Sequence, residues 1–300
     1  MATNTGLTTA ITALSPVAYW KLTETSGTTV AQSGSSTAAA LTLAGTYTLA
    51  NRELISGDTT KFLELNGGYA STSSRGNITS YLLGQNTFSC LIELIAPVAQ
   101  GFSASPTIFA YQDTGDTGPA NAAINYYLSM VDGLLNYFHE YGTGSNQTDS
   151  FNCTLGNTYP TSTSTFKCHL IVTRSSNTYT VWVNGRKRAT STFTTAPTDA
   201  SGSNLYIGTT ADLRTSAHMT LGHMCIFNRV LTDSEIWDLN IASGYASGTM
   251  PVNTVTYDNR GYDELPTSFI YPVANKELSI STDPLIDLFV LRPELAYTVT

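Results

Sequence analysis

Charge is scarce in this chain: 12% of its 300 residues are Asp, Glu, Lys or Arg, against roughly a quarter in an ordinary soluble domain. The missing residues are the helix formers Glu and Lys, and 48 Thr and 30 Ser stand in their place. Hydroxyl side chains suit strands and turns, which excludes a helical bundle and points to an all-β protein. The 14 Lys and Arg are scattered and outnumbered by 22 acids, so no basic stripe is present to release counterions from DNA or RNA. Long apolar runs are missing as well. The longest, Leu91 to Val98, is interrupted by Glu93 and falls far short of the roughly 18 residues a bilayer crossing needs. The opening residues Met1 to Leu7 carry neither a positive charge nor a long apolar stretch, so they do not read as a secretory signal.

Cysteine is also sparse. Four in this length are too few for a disulfide scaffold. Cys90 and Cys225 lie inside apolar runs, where a free thiol packs as a small hydrophobe. Cys153 and Cys168 are the two that a hairpin could set face to face, but without an export signal little argues for their oxidation. The sequons at Asn77, Asn146 and Asn152 are what a Thr-rich chain produces by chance.

What the chain does have is a 41% hydrophobic content with 17 Tyr and 11 Phe, too apolar for disorder. These residues are arranged in short period-two runs separated by Gly, Ser, Asn and Asp, the signature of an antiparallel sandwich or barrel. The clearest are Ala18 to Leu22, Lys61 to Leu65, Phe88 to Ile95, Thr107 to Tyr111, Tyr126 to Met130, Leu134 to Phe138, Cys168 to Thr173, Tyr179 to Val183, Leu205 to Ile207 and Met224 to Phe227. Asn184-Gly185 supplies a hairpin turn that needs positive φ at both central positions. One helix is predicted after Thr232-Asp233-Ser234-Glu235, which has the form of a capping box. Ile236, Leu239 and Ile241 would form its apolar stripe, and Gly244 its left-handed stop.

After Gly248 the texture changes. Five prolines interrupt about fifty residues, and seven acids face three bases. Proline at that spacing excludes a long helix or a central strand, yet Phe269, Ile270, Tyr271, Leu285, Leu288 and Phe289 are too apolar for a solvated linker. The expected layout is an arm over residues 1–15, a sandwich over 16–247, and an extended tail over 248–300 that docks through those six residues to other proteins or to further copies of the chain.

Several segments together resemble the laminin-G-like branch of the concanavalin A-like lectin and glucanase superfamily. Pro16-Val17-Ala18-Tyr19-Trp20-Lys21-Leu22 looks like its opening strand, and Phe62-Leu63-Glu64-Leu65-Asn66-Gly67 like its second. Tyr179 to Gly185 is similar to its Tyr-x-Asn-Gly hairpin with Trp182 at the Tyr position, and Leu221 through Ile236 to its closing strand and helix. The resemblance implies a jelly-roll sandwich. Where members holding a metal often carry Asp, this chain has Gln32 and Gly222. The glucanases need a Glu-x-Asp-x-x-Glu strand, whereas Glu93 has no second acid two or four residues away. A sugar-cleaving enzyme is therefore not expected.

The four histidines, His139, His169, His218 and His223, sit in no metal-ligand spacing. On a regular strand His218 and His223 would take opposite faces. Asp113 and Asp116, in a Gly-rich turn, are the calcium candidates, with a plain solvated turn as the competing reading. Aromatics concentrate at Tyr126, Tyr127, Tyr137 and Tyr141 beside His139, and with Trp182 these form the glycan-site candidate, to be weighed against ordinary strand composition. No cofactor is indicated. The Thr/Ser-rich strands, few lysines and proline-spaced tail resemble structural proteins of tailed bacteriophages, in which such a sandwich faces outward from a capsid or tail surface toward host glycans. A free carbohydrate-binding lectin is the alternative.

Overall fold

The computed structural model describes residues 2–37, 40–72, 76–95, 107–113, 124–129, 134–141, 147–154, 165–196, 203–209 and 218–250. Within them the chain forms two antiparallel sheets. The first runs in the order β14 (Arg186–Thr192), β13 (Thr178–Val183), β12 (Thr165–Ser175), β7 (Asn86–Ile95), β16 (His218–Phe227), β5 (Lys61–Asn66) and β4 (Tyr47–Glu53), with β1 (Ala18–Trp20) paired to the far end of β16. The second runs β11 (Gln147–Thr154), β10 (Leu134–Tyr141), β9 (Ile124–Ser129), β8 (Thr107–Asp113), β15 (Ser203–Ile207), β6 (Tyr69–Thr72), β3 (Leu41–Ala44) and β2 (Thr29–Val30). Three helices accompany them among the described residues: α1 (Asn4–Ala13), α2 (Ile78–Leu82) and α3 (Asp233–Ser243). The antiparallel sandwich is the expected one, and all ten predicted runs are strands.

Alternation along the strands divides the apolar residues between two cores. Phe88, Cys90, Ile92 and Leu94 of β7 join Leu170, Val181, Phe109, Tyr111, Leu205 and Ile207 between the sheets. Leu91, Ile171, Trp182, Phe62, Cys225 and Phe227 point to the other face of the first sheet, where Leu7 and Ile11 of α1 and Ile236 and Leu239 of α3 cover them. The first sheet is thus buried on both faces over its centre, and β7 is buried over all but its last residue.

Residues 4–13, within the segment expected to be an arm, form α1 because Thr3 accepts a hydrogen bond from Gly6 N at 2.9 Å as N-cap, and Leu7 and Ile11, one turn apart, find an apolar sheet face to cover. The capping box of α3 is as predicted: Glu235 N donates to Thr232 Oγ1 at 3.2 Å, Thr232 N donates to Glu235 Oε2 at 2.8 Å, and Gly244 closes the helix at φ 78°. Its buried face differs from the predicted stripe. Trp237, Asn240 and Ser243 turn inward with Ile236 and Leu239, while Ile241 is 37% exposed.

Asn184 (φ 53°) and Gly185 (φ 76°) make the predicted hairpin turn. A Cβ on Gly185 would lie 2.9 Å from the Trp237 ring, so the turn also needs glycine for the close approach of α3. Two expectations are corrected. Cys153 lies on β11 and Cys168 on β12, in different sheets, and Cys168 is a free thiol in the inter-sheet core, so no hairpin brings them together. His218 and His223 share a face, because a bulge at His223 (φ 48°) sets two residues of β16 against one of β7 and reverses the alternation.

Candidate functional site

On the outer face of the first sheet, beyond the area covered by the helices, the register lines up Lys167, Glu93, Thr220 and Glu64 across β12, β7, β16 and β5. Glu93 is only 2% exposed. Arg52 Nε stands 3.2 Å from Glu93 Oε2 and 3.8 Å from Glu64 Oε2, and Lys167 Nζ lies 3.8 Å from Glu93 Oε1. His218 Nε2 meets Glu64 Oε1 at 3.0 Å, Asn51 Nδ2 donates to Glu64 Oε2, and Lys167 Nζ donates to the Glu53 carbonyl at 2.7 Å. These residues floor a groove of about 540 Å³ lined by Asn51, Arg52, Glu53, Lys61, Glu93 and Lys167.

The sequence singled out Glu93 but could not supply its companion. Glu64 is 29 positions away and reaches the same row only through the pairing of β5 and β7 on either side of β16. The available signal is that each is the sole acid of its strand, set between apolar neighbours.

Two further polar clusters lie beneath the helices. His223 Nε2 faces Asn4 Oδ1 at 2.6 Å, and since that oxygen only accepts, Nε2 carries the proton and Nδ1 accepts from Tyr19 Oη at 2.7 Å. Asn4 N in turn donates to Asp58 Oδ2 at 2.7 Å. His169 Nε2 meets Ser89 Oγ at 2.8 Å and its Nδ1 meets Ser243 Oγ at 3.2 Å. Ser243 gives its own proton to the Asn240 carbonyl, so Nδ1 donates and Ser89 is the donor to Nε2. Burial pushes both imidazoles down to about 3. The same desolvation pushes the neighbouring Cys225 thiol up to about 12. A serine beside a histidine has the outline of a nucleophile and base, but Ser89 and His169 are sealed under α3 with no path for a substrate. They fasten the helix to the sheet.

The predicted aromatic group is divided. Register sets Phe109 opposite Tyr126, Tyr126 opposite Tyr137, and Tyr137 opposite Phe151, one row across β8 to β11. Tyr127 stands opposite Asn136 in the pairing of β9 with β10. Trp182 belongs to the other sheet; it is 9% exposed and pairs with Ile171 beneath the helices, so the structure does not bring it to the tyrosines. Asp113 ends β8, while Asp116 lies outside the described residues. Phe269, Ile270, Tyr271, Leu285, Leu288 and Phe289 also lie outside them. Among the described residues no group of three or more His, Cys, Asp or Glu gathers as for a metal ion, and no helix is long and apolar enough to cross a membrane.

A model of the concanavalin A-like lectin/glucanases superfamily, of the laminin G type, matches residues 98–237. No curated protein matches. Among solved structures, the receptor binding domain of botulinum neurotoxin mosaic serotype C/D is similar with a TM-score of 0.55 at 9% identity, over 76% of this chain and 51% of that one. The binding domain of botulinum neurotoxin DC in complex with SialylT gives 0.51 at 12% identity over the same shares. Trypanosoma rangeli sialidase gives 0.50 at 15% identity over 78% of this chain and 34% of that one. The chain thus spans about a third to a half of these proteins, and what it shares with them is the sandwich fold.

Proposed function

We propose that this chain is a non-enzymatic carbohydrate-binding module carried on the outer surface of a tailed-bacteriophage particle, as a capsid-decoration, tail or fibre protein. The observation that carries the non-enzymatic part is the position of Arg52. A glycoside-cleaving carboxyl pair leaves the space between its members to the scissile bond, whereas Arg52 Nε fills the space between Glu64 and Glu93. The sandwich fold and a similar botulinum domain crystallised with SialylT support adhesion to glycans. Strands β9 and β10, with Tyr126, Tyr127, Tyr137, Tyr141 and His139, are the first region to test for that contact, by alanine substitution and glycan-array binding; the expected result is lost binding to at least one host-surface glycan with the bound oligosaccharide recovered intact.

Particle attachment is assigned to residues 248–300, which would join other virion proteins and neighbouring copies, the protein being made in the bacterial cytoplasm. Deleting residues 249–300 is expected to leave a folded monomer that no longer incorporates into particles, measured by sedimenting assembled virions and probing for the chain. Normal incorporation of the truncated chain would sink this assignment and favour a free lectin.

A further inference from the structure

The groove on the outer face of the first sheet differs from the aromatic strands in its chemistry. Its lining carries two acids, Glu53 and Glu93, against three bases, Arg52, Lys61 and Lys167, and Glu64, 3.8 Å from Arg52 Nε just outside the lining, brings the local charges level. An anionic ligand meets two carboxylates in the lining, with a third close by, and a cation meets three positive side chains. Unused hydrogen-bonding capacity nonetheless remains. Glu93 Oε2 and Thr220 Oγ1 are buried and make no hydrogen bond. Arg52 spends only Nε on the two carboxylates, and among the described residues nothing engages its two Nη groups, the Glu53 carboxylate or the Lys61 ammonium.

We propose that this groove binds a neutral polyhydroxylated ligand, a hexose whose adjacent hydroxyls accept from the Arg52 Nη fork and Lys61 while donating to Glu53 and Glu93. A vicinal diol is the group that both donates and accepts at the spacing of a planar fork, and it adds no charge to a balanced site. The proposal rests on the carbohydrate-binding reading above and adds to it a second site with its own ligand class. Sialic acids and uronates, each bringing a carboxylate next to Glu53 and Glu93, are disfavoured. Among the described residues no aromatic ring lines the groove, and a ligand of about a dozen heavy atoms then has a Kd on the order of millimolar, an affinity that repeated copies on a surface strengthen by multivalency.

The test is saturation-transfer NMR on the full chain with methyl α-glucoside, methyl α-mannoside, methyl β-galactoside and N-acetylneuraminic acid. At least one neutral glycoside is expected to bind more than the acid does. Glu53→Ala and Lys61→Ala, at exposed positions without protein partners, should each weaken that binding at least threefold with an unchanged melting temperature, and Arg52→Met at least tenfold. Neutral binding that persists in all three variants overturns the groove as the site while leaving the carbohydrate reading standing. Preference for N-acetylneuraminic acid overturns the ligand class. If none of the sugars binds, the carbohydrate reading falls, and this proposal with it.

Discussion

Lowering the pH from 7 to 5 is expected to remove about 4 kcal/mol of stability, roughly 2 kcal/mol for each of His169 and His223. Both imidazoles are held neutral in the folded protein, chiefly by desolvation, with protonation delayed to about pH 3. In the unfolded chain they protonate near pH 6.5. A lowered histidine pKa means that the unfolded state takes up protons first, so the stabilisation is complete above pH 6.5 and drains away as the pH falls toward 3. Groups facing His223 are Tyr19, Asn4, Lys21 and Asp58, and those acting on His169 are Ser89, Ser243, the Tyr245 ring and His223 itself. Among these Asp58 alone offers a countercharge, which favours protonation of His223 but does not outweigh desolvation. Glu235, held at about 2 by its double hydrogen bond with Arg229, adds a separate loss that begins below its ordinary value of 4.5. Urea midpoints measured at half-unit pH steps should slope between pH 6.5 and 5 in the native protein and flatten in the His169→Gln, His223→Gln double variant. A native profile level across that window would rule the mechanism out.

Leu7→Ala and Ile11→Ala are each expected to cost about 2–5 kcal/mol, the range for truncating a fully buried aliphatic side chain. Both are 0% exposed and rest on Tyr19, Phe62, Cys225 and Phe227. Chemical denaturation of the two single variants gives the test. Changes under about 0.5 kcal/mol, ordinary for a surface site, would mean that α1 is not part of the folded body.

What the sequence conveys here follows the reach of each interaction. The Asn184-Gly185 turn and the Thr232–Glu235 capping box are decided by atoms within a few residues, and both are found as read. Strands with a wet side, such as β13, announce themselves by alternation. The strands not anticipated are β2, β3, β4, β6 and β11: β2, β3 and β6 are only two to four residues long, and the sequences of β4 and β11 are broken up by Asn, Thr and charged residues, so none offers a long apolar alternation. Helix α1 was hidden for a different reason: Thr5, Thr8, Thr9 and Thr12 are poor helix formers, and the apolar face that rewards the helix belongs to strands over a hundred residues away in part. Cross-strand rows are the least accessible, because Glu64 and Glu93 become neighbours only through β16. The bulge at His223 shows the same limit, since one extra residue inverts everything inferred from spacing.

The contact of α1 with α3 has a mechanical side. Ala2 lies so near Gly244 that a Cβ there would come within 2.9 Å of it, so the residue before α1 and the residue after α3 are neighbours. Tension applied at these two points therefore acts first on the contact of α1 with α3, and it reaches the ladder between β1 and β16 only afterwards, since β1 follows α1 and β16 precedes α3. A molecule pulled there would shed its helices before the sheet carried load.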